Sequence, residues 1–284
     1  MCRHLAYLGP STTLAALLLD PPHGLLHQSY APADMRGEVA VNADGFGAGW
    51  YPPAAVQRLV GATAAEAAPG AAPHGDPGAD PRVDAPVQPA RYRSDRPLWA
   101  DTGFAALAAV TPGTGVLASV RSATPGMPVT TAAAAPFAEG PWLFSHNGVV
   151  PGWPASMAGP AAGLPITDLV TLDAPTDAAL LWALVRHRLR AGDDPAAVLA
   201  GVVLALEEAA PGSRLNLLLT DGTAVWATTW THALSVRASP GAVTVASEPT
   251  ETGPGWTPVP DRHLVIATPE RCDVRPLEAA ARAA

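Results

Sequence analysis

Residues 1–8, MCRHLAYL, place a cysteine at position 2, shortly before an apolar segment that begins at Leu5. The run to Leu8 predicts a strand with Cys2 at its amino end. Cysteine is small enough for methionine aminopeptidase to remove Met1, which would leave one residue with both a thiol and a free α-amino group. A thiol with a pKa of about 8.5 beside an amine of about 8 is a nucleophile with its own base. The alternative is that Cys2 is a small buried hydrophobic residue.

The composition excludes several classes of protein. The 284 residues carry a net charge of −8. Phosphate binding needs a basic face, so no nucleic-acid partner is expected. The two cysteines, Cys2 and Cys272, offer neither a disulfide framework nor metal-ligand spacing, and no metal or cofactor is predicted. No apolar run is long enough for a membrane span, and the start of the chain lacks the features of a secretion signal. A cytoplasmic protein without a membrane partner is predicted.

The pattern of apolar residues predicts strands at both ends of the chain around a central pair of helices. Ser11 is the expected cap of a short first helix, and Thr176 of a longer one. Asp194-Pro195 is expected to start the second helix of the central pair. Strands are predicted at 114–121 and 141–150 and through the last quarter of the chain. Because strand and helix do not alternate regularly, this order favours an α+β fold with sheets that are at least partly antiparallel.

Residues 61–90 are dominated by Ala, Pro and Gly and show no apolar period. Such a segment is too long for an ordinary connection and predicts a disordered or mobile surface loop. We interpret it as an insertion at about 54–90 rather than as a domain boundary, because the segments on either side contribute to one predicted site.

Four positions downstream offer polar side chains or a backbone N–H that could complete a site for acyl transfer at Cys2. Asn147-Gly148 offers a side-chain amide and an unobstructed backbone N–H to an oxyanion, although such a pair is ordinarily a turn. The planar guanidinium of Arg121 can hold a carboxylate through two bonds; the alternative is a surface position at a strand end. Asp177 can bind an ammonium group or simply favour the start of its helix.

Taken together, these motifs resemble one enzyme family. Five motifs occur in the order seen in class II glutamine amidotransferase domains, which are N-terminal nucleophile hydrolases. They are the leading Met-Cys-Arg, the run NADGFGAGWY at 42–51, Arg121 to Thr124, Ser145 to Gly148, and Thr176-Asp177. The opening MCRHLAYLG and the late Ala246-Ser-Glu-Pro249 look most like the family's ergothioneine-pathway members, which hydrolyse a γ-glutamyl sulfoxide. The resemblance covers nearly the whole chain except about 54–90.

The resemblance implies a fold and a catalytic centre. The fold would be a four-layer αββα sandwich with two mainly antiparallel sheets, formed by a single class II glutamine amidotransferase domain over residues 2–284. Cys2 would be the nucleophile and its own α-amine the base. Asn147 and Gly148 would form the oxyanion hole.

By the same resemblance, the partner of this site is a small γ-glutamyl compound. Arg121 would hold the α-carboxylate of the glutamyl group, Asp177 its α-ammonium, and Thr124 would make another contact to it. The implied reaction is hydrolysis of the γ-glutamyl amide in ergothioneine biosynthesis, with release of glutamate. A trimethylated ammonium on the leaving group would be expected to contact aromatic side chains. The candidates near the motifs are Tyr7, Trp50, Trp99 and Trp142.

Two other functions stay open from the sequence. A glutaminase subunit that supplies ammonia to a separate synthetase would use the same site and would form a complex with that partner. A non-catalytic module that binds a small molecule would retain Met1, so intact mass distinguishes it from the enzyme. The oligomeric state does not follow from the sequence.

Overall fold

A computed structural model describes residues 2–34, 41–56 and 87–281. Strands within these residues form two sheets, and all paired strands are antiparallel. The first sheet consists of β1 (Arg3–Thr13), β2 (Phe46–Tyr51), β3 (Ala90–Ser94), β4 (Pro112–Val120), β9 (Ser235–Ser239), β10 (Ala242–Ala246) and β11 (Trp256–Pro258). The second consists of β5 (Phe137–Glu139), β6 (Trp142–Val149), β7 (Arg214–Thr220), β8 (Val225–Thr228), β12 (His263–Ala267) and β13 (Cys272–Pro276). Their orders are β11-β9-β10-β1-β4-β2-β3 and β13-β12-β8-β7-β6-β5.

Helices cover the outer face of each sheet. The first sheet packs against α1 (Leu14–Leu18), α2 (Leu25–Tyr30) and α3 (Thr102–Val110). The second packs against α4 (Ala158–Ala161), α5 (Ile166–Val170), α6 (Asp177–Arg190), α7 (Pro195–Ala209) and α8 (Leu277–Ala281). None of the helices in the described part of the chain is long and apolar enough to cross a membrane.

The alternation of side chains along β1 shows how the layers form. Leu5 and Tyr7 point to the outer face, where they pack with α1, α2 and α3, whereas Ala6 and Leu8 point inward. The inward side chains meet those of the second sheet, among them Leu218. In β7 the neighbours of that leucine point the other way, towards α6 and α7. The order helix, sheet, sheet, helix confirms the predicted four-layer αββα sandwich.

One local prediction is wrong, and another lies mostly outside the described residues. The cap of α1 is Thr13, whose side chain accepts a hydrogen bond from the N–H of Ala16, and the prediction of Ser11 is wrong. Strand β1 continues through Ser11 because Thr12 and Thr13 still pair with the start of β4. Most of the predicted insertion at about 54–90 lies outside the described residues. Its last predicted residue, Ala90, already begins β3.

Candidate active site

Cys2 lies where β1 begins beside the end of β4. The two strands are antiparallel, with Arg3 opposite Val120, so Cys2 faces the residues that follow β4. Its thiol donates a long hydrogen bond to the carbonyl of Ser122, with Sγ 3.7 Å from the oxygen. The residue is only partly buried. A strand therefore presents this sulfur at the wall of a cavity.

The cavity beside Cys2 brings together residues that are far apart in the sequence. Five of the six predicted site residues line it: Cys2, Arg121, Thr124, Gly148 and Asp177. The lining also includes Ser119, Ser122, Ala123, Met127, His146 and Thr176. The fold thus collects the predicted nucleophile and both predicted charged contacts at one place, and their roles stay predictions.

Arg121 and Thr124 border a turn that follows β4. The guanidinium of Arg121 is buried, and its Nη1 donates to the carbonyl of Pro128 over 2.9 Å. The carbonyl of Thr124 accepts from the N–H of Met127 at 3.0 Å, which closes the turn between them. The bond to Pro128 uses only Nη1 of the guanidinium, which carries five donors, so other N–H groups are left for a carboxylate.

The glycine-rich run at 42–51 supports this arginine. Asp44 donates from its backbone N–H to the carbonyl of Arg121, and the N–H of Arg121 donates to Gly45, at 2.9 and 2.8 Å. The Asp44 carboxylate also accepts from the N–H of Ala123 at 2.8 Å. Gly45 has a φ of +112°, and a Cβ there would lie 2.8 Å from the carbonyl of Ser94. The prediction that this glycine run allows a close backbone approach is confirmed at Gly45.

Asp177 is the first residue of α6, which Thr176 caps as predicted, by accepting from the N–H of Ala179 at 3.2 Å. Each carboxylate oxygen of Asp177 accepts a backbone hydrogen bond, from Ala178 at 2.7 Å and from Val150 at 3.0 Å. A carboxylate oxygen has two lone pairs, so both oxygens can accept again from an ammonium group. The helix-start and ligand-binding interpretations are therefore compatible.

Asn147 is the one predicted site residue that does not line the cavity. Its side chain is buried between the sheets, where Nδ2 donates to Ser247 Oγ over 3.3 Å. The same hydroxyl accepts from the backbone N–H of His4, at 3.0 Å, and the N–H of Ser247 donates to the carbonyl of His4, at 2.9 Å. Ser247 therefore joins the predicted oxyanion donor to the strand of the nucleophile. Sequence reasoning did not single it out, although it lies in the Ala246-Ser-Glu-Pro249 motif.

Gly148 has neighbours that exclude any side chain. A Cβ at this position would lie 1.8 Å from the carbonyl oxygen of Arg214 and 2.6 Å from Nε2 of His146. The imidazole donates to that same carbonyl at 2.9 Å, so its Nε2 carries the proton. His146 also lines the cavity, although the motif from Ser145 to Gly148 by itself indicates no role for its imidazole.

His4 is a buried neutral histidine two residues from the nucleophile. Its Nδ1 is hydrogen-bonded to Ser145 Oγ over 2.9 Å. Burial, and then the charges of His146, His232 and Arg3, lower its pKa to about 3. His4 therefore adds no positive charge at a position two residues from Cys2.

Other groups considered in the sequence lie elsewhere. Cys272 is exposed at the start of β13 and does not line the cavity. Partial desolvation of its thiol, and then the charge of Asp273, raise the pKa of that thiol, which does not favour a reactive thiolate. Within residues 2–34, 41–56 and 87–281, no three His, Cys, Asp or Glu side chains are arranged to hold a metal ion.

The four aromatic side chains suggested for the leaving group are absent from the cavity lining. Tyr7 donates from its hydroxyl to the carbonyl of Pro10. Trp142 packs against Trp226, with ring centroids 5.7 Å apart, and Trp50 packs on the outer face of the first sheet. Trp99 contacts Tyr30 edge-on at 6.1 Å. The cavity therefore gives the predicted aromatic wall no support.

Comparison with known proteins identifies relatives of the chain at both the sequence and the fold level. A scan of protein-family models found no match. The chain is 39% identical, over 98% of its length and 100% of the relative, to the γ-glutamyl-hercynylcysteine sulfoxide hydrolase of Mycolicibacterium smegmatis. It is 37% identical to the Mycobacterium tuberculosis protein of the same name, over 94% of this chain and 93% of that one.

Solved structures agree on the fold. A glutamine aminotransferase class II domain protein from Silicibacter pomeroyi superposes with a TM-score of 0.62 at 21% identity, over 97% of this chain and 99% of that one. The glutamine phosphoribosylpyrophosphate amidotransferase of B. subtilis gives 0.61 at 13% identity, over 97% of this chain and 49% of that one. Together with the sequence relatives, they show that the chain belongs to the γ-glutamyl-hercynylcysteine sulfoxide hydrolase family and has the class II glutamine amidotransferase fold.

Proposed function

We propose that the chain hydrolyses the γ-glutamyl amide of γ-glutamyl-hercynylcysteine sulfoxide in ergothioneine biosynthesis and releases glutamate. The observation that carries this proposal is the meeting of Cys2, Arg121 and Asp177 at one cavity. The relatives at 37–39% identity bear the name of this activity. We also propose that residues 2–284 form one class II glutamine amidotransferase domain with an insertion at about 54–90.

The γ-glutamyl group ends in a zwitterion, and the cavity offers a charge for each part of it. Arg121 would hold the α-carboxylate, Asp177 the α-ammonium, and Thr124 would contact the same group. A cation and an anion at a fixed separation recognise the zwitterionic end of the γ-glutamyl group, independently of the leaving group on the γ-carbonyl. Substrate binding would thereby place the γ-carbonyl carbon at the Cys2 sulfur.

Cys2 would act once Met1 has been removed. Its α-amine takes the thiol proton as sulfur attacks the γ-carbonyl carbon, and the oxyanion accepts from the Asn147 amide and the Gly148 N–H. The C–N bond then breaks, and the leaving amine takes the proton from the α-ammonium. Water attacks the thioester, a C–O bond forms as the C–S bond breaks, and glutamate leaves with the thiol restored.

The compartment and the partners that we propose for the enzyme follow from its free thiols and its net charge. Both cysteines are free thiols, which fits the reducing cytoplasm that we propose as its compartment. The net charge of −8 makes a nucleic-acid partner unfavourable. The proposed partner is a small γ-glutamyl compound.

Glutamate release from a panel of substrates tests the proposal. We expect the γ-glutamyl sulfoxide to have a higher kcat/KM than glutamine or simple γ-glutamyl dipeptides. A preference for glutamine would instead favour a glutaminase subunit that serves a separate synthetase. Cys2→Ala should lower kcat by at least about a thousandfold, because it removes the covalent step. Cys272→Ala is the matched control and should keep full activity, and an intact mass that retains Met1 would contradict the mechanism.

A further inference from the structure

A buried ion pair lies directly behind the nucleophile. Arg3 and Glu248 are 2% and 3% exposed, and Arg3 Nε donates to Glu248 Oε1 over 2.5 Å. The same guanidinium donates from Nη1 to the carbonyl of Cys2, at 2.8 Å, and from Nη2 to the carbonyl of Asp34. Every nitrogen of this guanidinium is therefore directed at an acceptor, and one of those acceptors belongs to Cys2.

Glu248 in turn joins three segments of the chain. Beyond Arg3, its carboxylate accepts from His23 Nε2 at 2.6 Å and from the backbone N–H groups of Ala33 and Asp34, at 2.8 and 3.2 Å. Burial alone would raise the pKa of this carboxyl, but the bonds from His23 and Ala33 and the charge of Arg3 hold it below its usual value. Glu248 is thus an ionised, fully engaged carboxylate that fixes the direction of the Arg3 side chain.

A catalytic residue at the end of a chain needs such an anchor. Cys2 precedes β1, which begins at Arg3, and terminal residues are the most prone to disorder. The bond from Arg3 holds the peptide group that follows the Cys2 α-carbon. That carbon carries both the amine and the side chain that ends in the thiol. Neither residue of the pair lines the cavity, and the bond to the Cys2 carbonyl is its direct contact with a lining residue.

We propose that Glu248 is a positioning residue, which holds Arg3 so that its guanidinium fixes the Cys2 backbone for attack. This inference rests on the proposed function, because it takes Cys2 as the nucleophile. The glutamyl contacts Arg121 and Asp177 make no hydrogen bond to this pair among those of the described residues. Loss of Glu248 should therefore slow the attack and leave glutamyl binding intact.

The probe for this test is 6-diazo-5-oxo-norleucine, a glutamine-shaped diazoketone that alkylates a thiol with loss of N2. It carries the glutamyl group and no sulfoxide leaving group, so it reports on Cys2 without depending on leaving-group specificity. Intact mass followed over time gives kinact and KI. For Glu248→Gln we expect kinact to fall about 10- to 100-fold while KI stays within about 2-fold of wild type. An unchanged kinact, with or without a rise in KI, would overturn the proposal.

Asp168→Asn provides a matched control. Asp168 is also 3% exposed and also accepts from arginines, Arg190 Nη1 at 2.7 Å and Arg186 Nη2 at 3.4 Å. It lies on α5 beside the far end of α6, about three turns from Asp177. This variant should lose thermal stability and keep kinact. A parallel loss of kinact in Asp168→Asn and Glu248→Gln would show a general structural effect and would also overturn the proposal.

A double-mutant cycle separates the two partners. Lysine at position 3 keeps the charge but cannot reach the Cys2, Asp34 and Glu248 acceptors together. Arg3→Lys should therefore lose kinact like Glu248→Gln, and the double variant should lose little more than either single variant. Independent, multiplying losses would contradict the proposed chain of contacts. If Glu248→Gln does not fold, Arg3→Lys carries the same test, because Glu248 keeps its bonds to His23 and Ala33. Wild-type protein that the probe does not label at Cys2 would overturn the proposed function itself.

Discussion

Asn147 Nδ2 lies 3.3 Å from Ser247 Oγ, and that hydroxyl oxygen also accepts from the N–H of His4. A side-chain amide carries two donors, and this bond occupies one of them. The second donor is the one that the predicted oxyanion role of Asn147 requires, and the hydroxyl sets its orientation. Asn147 Oδ1 has no hydrogen-bond partner among the described residues, so the donors make the one side-chain hydrogen bond of this amide there.

The amide of Asn147 should therefore matter for the rate more than for binding. Asn147→Ala should lower kcat by about 10²–10³, the typical effect of losing one oxyanion donor. Ser247→Ala keeps the amide and loses only its orientation, so its effect on kcat should have the same sign and be smaller. Steady-state kinetics on one γ-glutamyl substrate measures both. A larger effect of Ser247→Ala than of Asn147→Ala would contradict this division of roles.

The two charged contacts should act on every γ-glutamyl substrate alike. Arg121→Lys keeps the charge but loses the planar donor pair, and it should cost roughly 2 kcal/mol or more in kcat/KM. Asp177→Asn removes the charge opposite the ammonium and should act similarly. The measurement is kcat/KM for glutamine, a γ-glutamyl dipeptide and the γ-glutamyl sulfoxide. A loss confined to one leaving group would place these residues away from the glutamyl end.

The sequence predicted the parts of this site that depend on local pattern. Thr176 caps α6 because its hydroxyl reaches an N–H only three residues on, and such short-range chemistry is legible in a sequence. The layers also follow from alternation, as at Leu5 and Ala6. The chemistry of Cys2 and Arg121 made them candidates, and the ordered motifs, through a family resemblance, implied their roles.

What the sequence could not supply depends on contacts between distant segments. Arg3 and Glu248 are separated by 245 positions, and neither residue type nor spacing indicates that they meet. The support of Arg121 by Asp44 has the same character, since it requires the pairing of two strands. Ser11 failed as a helix cap for a related reason: pairing with β4 extends β1 beyond it and overrides a local preference.

Gly148 offers a test of packing at the predicted oxyanion hole. Gly148→Ala would force a Cβ against the Arg214 carbonyl, so the strands β6 and β7 must separate locally, at a cost of about 1–3 kcal/mol. Gly159→Ala is the control, because a Cβ there meets nothing within 4 Å and the position is helical. It should be neutral or slightly stabilising. Thermal and urea unfolding of both variants give the comparison, and equal effects would contradict the close approach at Gly148.

The buried imidazole of His4 should make stability depend on pH. Its pKa is about 3 in the folded protein and 6.5 when unfolded. Because the unfolded chain binds a proton that the folded one excludes, the stability contributed by neutral His4 is complete above pH 6.5. It is lost as the pH falls from 6.5 towards 3. By proton linkage, His4 alone should make the free energy of unfolding roughly 2 kcal/mol lower at pH 5 than at pH 7.5.

Urea unfolding at pH 5 and pH 7.5 measures this loss, and His4→Asn isolates the share that belongs to His4. Asparagine keeps a polar group near Ser145 Oγ but cannot titrate, so the variant should be less stable at pH 7.5 yet lose less on acidification. If wild type and His4→Asn instead lost stability in parallel between pH 7.5 and 5, His4 would have to gain its proton in the folded state at an ordinary pKa, against its burial beside His146 and Arg3.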